Sequence, residues 1–495
     1  MRGDVMWYRI ILVKLLLLTV LHITGIKAQQ TEHRVTGTVM DQSGETFPGT
    51  TVIVKGTVQG TVTDMDGRYV IAVPKDAILQ FSFVGMENRE IAVEGRQRID
   101  VVMEDNISEG IMPAKPILLT PKQREKAEAD NRFSFNVFLE ISRLQGPNAF
   151  FSPISLNMAL GTLYNGSSGD TRTEMNQIWG ITNFSESELN DYYRTINRRL
   201  LEADRFTDIA IANSIWYRSD FSIKEAFKET SKRYFDTDIK ALDFNDSNAA
   251  NVINKWCLDK TNGKINHIAA TPMPGDMMMY LANAIYFKSK WQMEKRFRKE
   301  QTKPDDFIQS DGKTLRVEMM EQTTSLPYYS DSYLQCVELP YGNGAYSMMA
   351  VLPPDNENIS QLIEYLSSAH WERIVNQMKS ERVWLKLPRL RIECNIPFNQ
   401  PLKNVGMQKI FSGGFAHLSD DAFNVSNIRQ KAFIEVNEEG TEVAAVTSMM
   451  IVGYGVMKTS NEPVHFFANR PFMLLIREKS TGVILFIGRI DDPRS

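Results

Sequence analysis

Histidine is the commonest catalytic base and metal ligand, and this chain has six: His22, His33, His267, His370, His417 and His465. None lies in a His-Glu-x-x-His pattern, and no pair has zinc-ligand spacing. There is no Gly-x-Ser-x-Gly elbow to present a nucleophilic serine and no Gly-rich phosphate loop. Ser152 precedes Pro153 and follows Phe150-Phe151, which suits a residue packed under a sheet better than a nucleophile. A hydrolase would need its residues scattered along the chain. Asp64-Met65-Asp66-Gly67 offers calcium-type oxygens, but no Glu completes an EF-hand loop, so it reads as a tight turn between strands. Cys257, Cys336 and Cys394 form no C-x-x-C pair. Their odd number leaves at least one thiol unpaired, and all three read as buried structural thiols. No metal and no cofactor is expected.

The most informative stretch carries chemistry of another kind. Glu438-Glu439-Gly440-Thr441-Glu442-Val443-Ala444-Ala445-Val446-Thr447 starts charged and becomes a run of small residues. It continues into an apolar, Gly-punctuated loop over 448–461. One reading is a strand followed by a surface loop. The sharper one is a hinge whose loop converts into a central strand of a sheet. With period two, Thr441, Val443, Ala445 and Thr447 share one face, which carries no charge and nothing large. Glu442 falls on the other face, and the phase matters because burying an unpaired charge costs several kcal/mol or more, roughly. Gly440 supplies backbone freedom.

These residues resemble the hinge of the inhibitory serpins. Further motifs of that family follow in order. Phe466-Phe467-Ala468-Asn469-Arg470-Pro471-Phe472-Met473-Leu474-Leu475-Ile476 resembles its C-terminal signature. Thr481-Gly482-Val483-Ile484-Leu485-Phe486-Ile487-Gly488-Arg489-Ile490 is similar to its last strand. Asn148-Ala149-Phe150-Phe151-Ser152-Pro153-Ile154-Ser155 resembles the segment under the main sheet, and Leu281 to Trp291 the strand ending at the family's Trp. The resemblance runs from about Asp130 to Pro493. It implies an α+β fold of three β-sheets with surrounding helices and a mobile reactive loop. It implies a suicide substrate for a serine endopeptidase: the protease cuts the loop, is held as an acyl-enzyme, and the freed hinge inserts as a strand. The alternative is a non-inhibitory member with a binding or structural role in the cell envelope.

The resemblance also assigns residues. Glu438, Glu439, Gly440, Thr441, Glu442, Val443, Ala444 and Ala445 form the hinge, with Val443 where the family usually has Ala. Ser152, Ser155, Asn283, Trp291 and Gln430 form the network that governs sheet opening. Gln430 stands where many members have a His; Gln also donates and accepts, so the network should survive without a His-linked pH response. Counting from Glu438 places the cut after Tyr454, before Gly455. Counting back from Pro471-Phe472 lands nearer 460. Between them lie Met457 and the Lys458–Thr459 bond, which is favoured. A lysine suits a trypsin-like protease. Chymotrypsin-like and elastase-like enzymes are alternatives through Tyr454 and Met457, and cysteine proteases a further class.

The elements that must position these residues follow from the patterning. The chain has 495 residues, which suggests two or three domains. Its net charge of −4 and the absence of a basic stripe argue against nucleic acid as a partner. Arg2 and Arg9 precede an apolar run over 10–26, broken by Lys14 and ending at Ala28. That fits a secretory signal over 1–28, a retained anchor being the alternative. Residues 31–104 alternate between short strands and turns, an all-β sandwich. Gly37-Thr38-Val39, Pro48-Gly49, Val54-Lys55-Gly56-Thr57 and Gly60 to Tyr69 within it resemble the carboxypeptidase regulatory-like domain. Such domains often precede outer-membrane receptors of Gram-negative bacteria. The resemblance therefore implies export to the periplasm, the outer membrane or the outside, with cell-envelope contact through this domain. Residues 105–123 hold Pro113, Pro116 and Pro121 and read as a linker. Residues 124–495 form the serpin-like domain, whose first helix is marked by Phe133, Val137, Phe138, Ile141 and Leu144 at helical spacing. A monomer is expected.

Overall fold

Two kinds of patterning give two compact units, 1–110 and 111–495. The structure, a computed structural model, describes residues 33–40, 46–57, 59–64, 66–83, 86, 88–103, 114–355, 357–441 and 462–494. The expected signal segment lies outside them. Among the described residues no helix is long and apolar enough to cross a membrane.

The first unit is a β-sandwich built by alternation. Its strands are β1 (His33–Met40), β2 (Thr51–Val54), β3 (Gly60–Val62), β4 (Arg68–Val73), β5 (Ile78–Ser82), β6 (Arg89–Ala92) and β7 (Val101–Val102). They form sheets in the orders β4-β1-β7 and β3-β2-β5-β6. Every second side chain, such as Val35, Val39, Tyr69, Ile71, Leu79 and Phe81, enters one shared core. The Asp64 turn is satisfied by its own backbone: its Oδ1 accepts from the N–H groups of Asp66 at 3.0 Å and Arg68 at 2.8 Å. Gly67 adopts φ +70°, and a Cβ there would lie 2.7 Å from the Val39 carbonyl oxygen.

The second unit begins earlier than expected. Helix α1 spans Pro121–Leu144, with Thr120 and Gln123 forming a reciprocal capping box. Pro121, read above as part of a linker, is instead the favoured first residue of a helix. Ile117 and Leu119 are buried in the main core, and the Ile117 N–H donates to Ser480 Oγ at 2.8 Å. Residues 114–120 are therefore bound to the second unit, which corrects the expected 105–123 linker.

This unit contains β8 (Ala149–Phe151), β9 (Thr207–Arg218), β10 (Asp238–Leu242), β11 (Met279–Lys290), β12 (Lys303–Ile308), β13 (Thr314–Ser330), β14 (Gln335–Pro340) and β15 (Tyr346–Leu352). It continues with β16 (Lys379–Pro388), β17 (Leu390–Pro397), β18 (Asn427–Val436), β19 (Gly440–Thr441), β20 (Val464–Phe467), β21 (Phe472–Glu478) and β22 (Ile484–Ile490). The main sheet has the order β10-β9-β11-β19-β18-β17. A second path runs β20-β16-β13-β14-β15-β21-β22-β8, with β12 paired to β13. Strand β13 is 17 residues long and pairs first with β16 and then with β14, so it joins the two remaining expected sheets into one hydrogen-bonded path. Strands β15, β21 and β22 are near-continuous apolar runs because they are buried on both faces.

Helix α2 (Pro153–Gly166) is buried at every position and packs against β9, β11 and β22 beneath the main sheet. Its apolar residues, such as Ile154, Leu156, Met158, Leu160 and Leu163, fall on every side, which suits a helix in such a place. Another helix, Ala249–Lys260, covers the opposite face through Ile253 and Trp256, which join Trp216, Tyr280, Ala282 and Ala284 in a separate core. All three cysteines are buried and unpaired. Burial pushes the Cys257 thiol up to about 12 and that of Cys394 to about 11.

Between β14 and β21 lies a buried ion pair. Glu338 Oε1 accepts from Arg477 Nη2 at 2.6 Å and Ser347 Oγ at 2.7 Å, with Lys479 Nζ 3.3 Å from Oε2. Burial raises the carboxyl's pKa, but Arg477 and Lys479 outweigh it and hold the group below the usual carboxylate range. A depressed folded-state pKa gives stability that is present above the unfolded value, about 4.3 for Glu, and lost as pH falls through the folded value. Glu338→Gln should therefore flatten the fall in Tm between about pH 5 and pH 3. It should also cost about 3–5 kcal/mol at neutral pH by stranding Arg477. Melting curves of both proteins across that range check this.

Candidate functional site

Strands β11 and β18 lie side by side and parallel from Tyr280↔Asn427 to Ile285↔Ala432. At the middle of this seam Asn283 faces Gln430. Gln430 Nε2 donates to Asn283 Oδ1 at 2.6 Å and to the Ser152 carbonyl at 3.1 Å, while the Ser152 N–H donates to Gln430 Oε1. Asn283 Nδ2 donates to the Ser155 carbonyl at 3.1 Å and to Asn213 Oδ1. Gln430 thus uses its donor and its acceptor, as its chemistry allows. Ser152 is fully buried and caps α2; its hydroxyl accepts from the Ser155 N–H at 3.4 Å. Ser155 Oγ and Asn213 Nδ2 are buried at the same place without a partner. Asn213 was not singled out above, although an Asn between apolar residues of a long strand is a signal that could have found it.

Trp291 does not belong to this cluster, which corrects the grouping made from the sequence. It lies eight residues along the chain from Asn283, about 26 Å away at strand rise. Its ring stacks on Tyr341 at 4.5 Å, and its Nε1 donates to the Asn437 carbonyl at 2.9 Å. It grips the chain where that chain leaves β18.

The start of the hinge is anchored here. Gly440 and Thr441 form β19, which enters the seam antiparallel to both neighbours: Ser289↔Thr441 and Lys290↔Gly440 on β11, and Val436↔Thr441 on β18. A Cβ on Gly440 would lie 2.1 Å from the Ser289 carbonyl oxygen, so the strands leave no room for a side chain. Thr441 is buried, and its hydroxyl bonds with that of Tyr341. Glu438 is buried too. It accepts from Arg389 Nε at 2.9 Å and Nη2 at 2.6 Å, and from the Thr302 hydroxyl. Burial raises its pKa, but these bonds outweigh it and keep the carboxyl below its usual range. Glu439 Oε2 lies 3.7 Å from Arg296 Nη1, and its carbonyl accepts from the Trp291 N–H at 2.8 Å. No local pattern marks Arg389, Thr302 or Tyr341 in the sequence; only folding brings them to Glu438 and Thr441. Glu442, Val443, Ala444, Ala445, Tyr454, Gly455, Met457, Lys458 and Thr459 lie outside the described residues.

The geometry offers a place for a strand: a parallel seam, closed at its middle by one side-chain bond and already entered at one end. Comparisons with known proteins agree with this architecture. The family model "CarboxypepD_reg-like domain" matches residues 35–110. Iripin-1 of Ixodes ricinus is 31% identical over 373 residues, covering 73% of this chain and 93% of that protein. Intracellular coagulation inhibitor 2 of Tachypleus tridentatus is 30% identical, over 70% of this chain and 86% of its own. Among solved structures, the thermophilic serpin Tengpin in its native state superimposes with a TM-score of 0.69 at 29% identity, covering 77% of this chain and 96% of that one. The family model "Serpin (serine protease inhibitor)" matches residues 128–493, and with the seam and hinge just described the chain belongs to the serpin family.

Proposed function

We propose that this protein inhibits a serine endopeptidase as a suicide substrate, with a trypsin-like enzyme as target and Lys458–Thr459 as the bond attacked. The observation that carries the reading is the two-residue strand β19 between β11 and β18. Continued in the same register, Val443 comes beside Phe287 and Ile434, Ala445 beside Ile285 and Ala432, and Thr447 between Asn283 and Gln430. These neighbours are buried, so the uncharged face of the hinge is the one received. About a dozen new backbone hydrogen bonds at roughly 0.5–1.5 kcal/mol each amount to on the order of 10 kcal/mol. Set against the six-pair ladder between β11 and β18 and the Gln430–Asn283 bond that insertion breaks, about half of that gain, roughly 5 kcal/mol, remains. The protease supplies the nucleophile and forms the acyl-enzyme itself. Loop insertion of this kind is the established form of strand addition in serpins, and this chain needs no new mechanism. The apolar run before Ala28 supports export as part of the same reading.

Mixing with trypsin-like, chymotrypsin-like and elastase-like proteases tests this on a denaturing gel. A covalent complex with the trypsin-like enzyme, releasing a C-terminal peptide that starts at Thr459, is expected. Clean cleavage without complex would instead identify a non-inhibitory member. Ala445→Arg places a charge where the continued strand would meet the buried Ile285 and Ala432, and this variant should be cut yet form little complex; a wild-type yield of complex would overturn the phase. Cleavage in the loop should raise the Tm sharply, because the sheet gains a central strand, and a calorimetric scan before and after the cut reads this directly. Lys458→Ala removes a charge-assisted contact worth about 1.5–3 kcal/mol and should slow trypsin inhibition by about one to two orders of magnitude. Stopped-flow progress curves measure that rate.

A further inference from the structure

The described residues break off at Thr441 in the main sheet and resume at Glu462, two residues before β20 of the second path. Strand β20 pairs parallel with β16, with Trp384↔His465 and Lys386↔Phe467 as partners. Alternate residues of the two strands face opposite ways. Val383, Leu385, Leu387 and Phe466 enter the core. Trp384, Lys386, His465 and Phe467 point outward, with His465 exposed and the other three half-buried. The three rings form one cluster. His465 stacks on Phe467 at 5.2 Å, and Trp384 meets both edge-on, at 5.0 Å and 5.2 Å. Polar partners hold the arrangement: Trp384 Nε1 donates to Glu321 Oε1 at 2.7 Å, and Lys386 Nζ pairs with Asp305 at 2.8 Å while lying 5.4 Å from the Phe467 ring centre.

An edge strand could have kept this face polar. Three rings there, packed on one another with Trp384 held by its hydrogen bond to Glu321 and all partly open to solvent, have the composition of an interface hot spot, and a packed cluster loses less entropy on binding. The occupant follows from chain length. His465 is seven residues after Lys458, so even a fully extended chain keeps it within about 25 Å of the bond. A protease domain of about 230 residues has a radius of gyration of about 17 Å and is therefore about 45 Å across. A protease seated on that bond is large enough to reach β20 and β16.

We propose that the Trp384–His465–Phe467 face is a second docking surface for the attacking protease, received by the rim around its active-site cleft, and that it sets the rate of capture. This rests on the reading of the loop as protease bait. The test compares the second-order rate, the stoichiometry of inhibition and the Tm of the full-length protein with those of Trp384→Ala and His465→Ala. His465→Ala trims only an exposed ring, so it serves if Trp384→Ala fails to fold. The expected result is a fall of about tenfold in capture rate, at unchanged stoichiometry, because docking precedes the partition between trapping and release. Rates within twofold of wild type for the folded variants would overturn the proposal. The two readings separate cleanly. If the wild-type loop is cut without a covalent complex, the suicide mechanism fails, yet the rate of that cut still reports on the docking face. If no protease cuts the loop, both readings fall.

Discussion

The contact on which this structure depends is the parallel seam between β11 and β18. Parallel pairing is slightly weaker per residue than antiparallel pairing. The seam is short, running from Tyr280↔Asn427 to Ile285↔Ala432, and a single side-chain bond, Gln430 to Asn283, spans it at mid-height. A strand running the other way between these two would hydrogen-bond to both edges. Two residues of the same chain, β19, already take this arrangement at one end of the seam.

What keeps the seam closed is packing from below and a clamp from above. From below, the fully buried helix α2 presents the backbone of Ser152 and Ser155 to Gln430 and Asn283, tying both strands to one support. The fit is incomplete, since Ser155 Oγ and Asn213 Nδ2 stay unpaired there. Unpaired buried polar atoms cost about 1–3 kcal/mol each, so the seam carries a penalty at its middle. From above, Arg389 and Thr302 hold Glu438, and Trp291 with Tyr341 holds Asn437 and Thr441. The charged start of the hinge is thus an anchor. Inhibition in this family asks for such a balance: a closed sheet that persists until the loop is cut, with a more stable arrangement one strand away.

Much of this was legible in the residues. The burial of Thr441 on the uncharged face was legible, because side-chain alternation is a local property of the backbone. The β-sandwich was legible for the same reason, as was the long strand ending near Trp291. Gln430 could be recognised as a substitute for His because donor and acceptor capacity belongs to the side chain itself. Local rules also failed where two of them competed. Pro121 reads equally as a linker proline or as the first residue of a helix, and the choice fell to Thr120 and Gln123 closing the capping box and to Ile117 and Leu119 finding a core.

The sequence by itself determined the family, the alternation that builds the β-sandwich and the absence of local motifs for catalysis, since each is written in residue type and spacing. Tertiary structure alone decided the rest. It moved Trp291 from the mid-sheet network to the mouth of the seam, because position along a strand converts to distance only once that strand's neighbours are known. It brought Arg389 to Glu438 across 49 residues and Tyr341 to Thr441 across 100, pairings that no local pattern encodes. It also left two buried polar atoms unpaired beside the Gln430–Asn283 bond. A shortfall of that kind exists only between elements, so it becomes visible only when they are packed together.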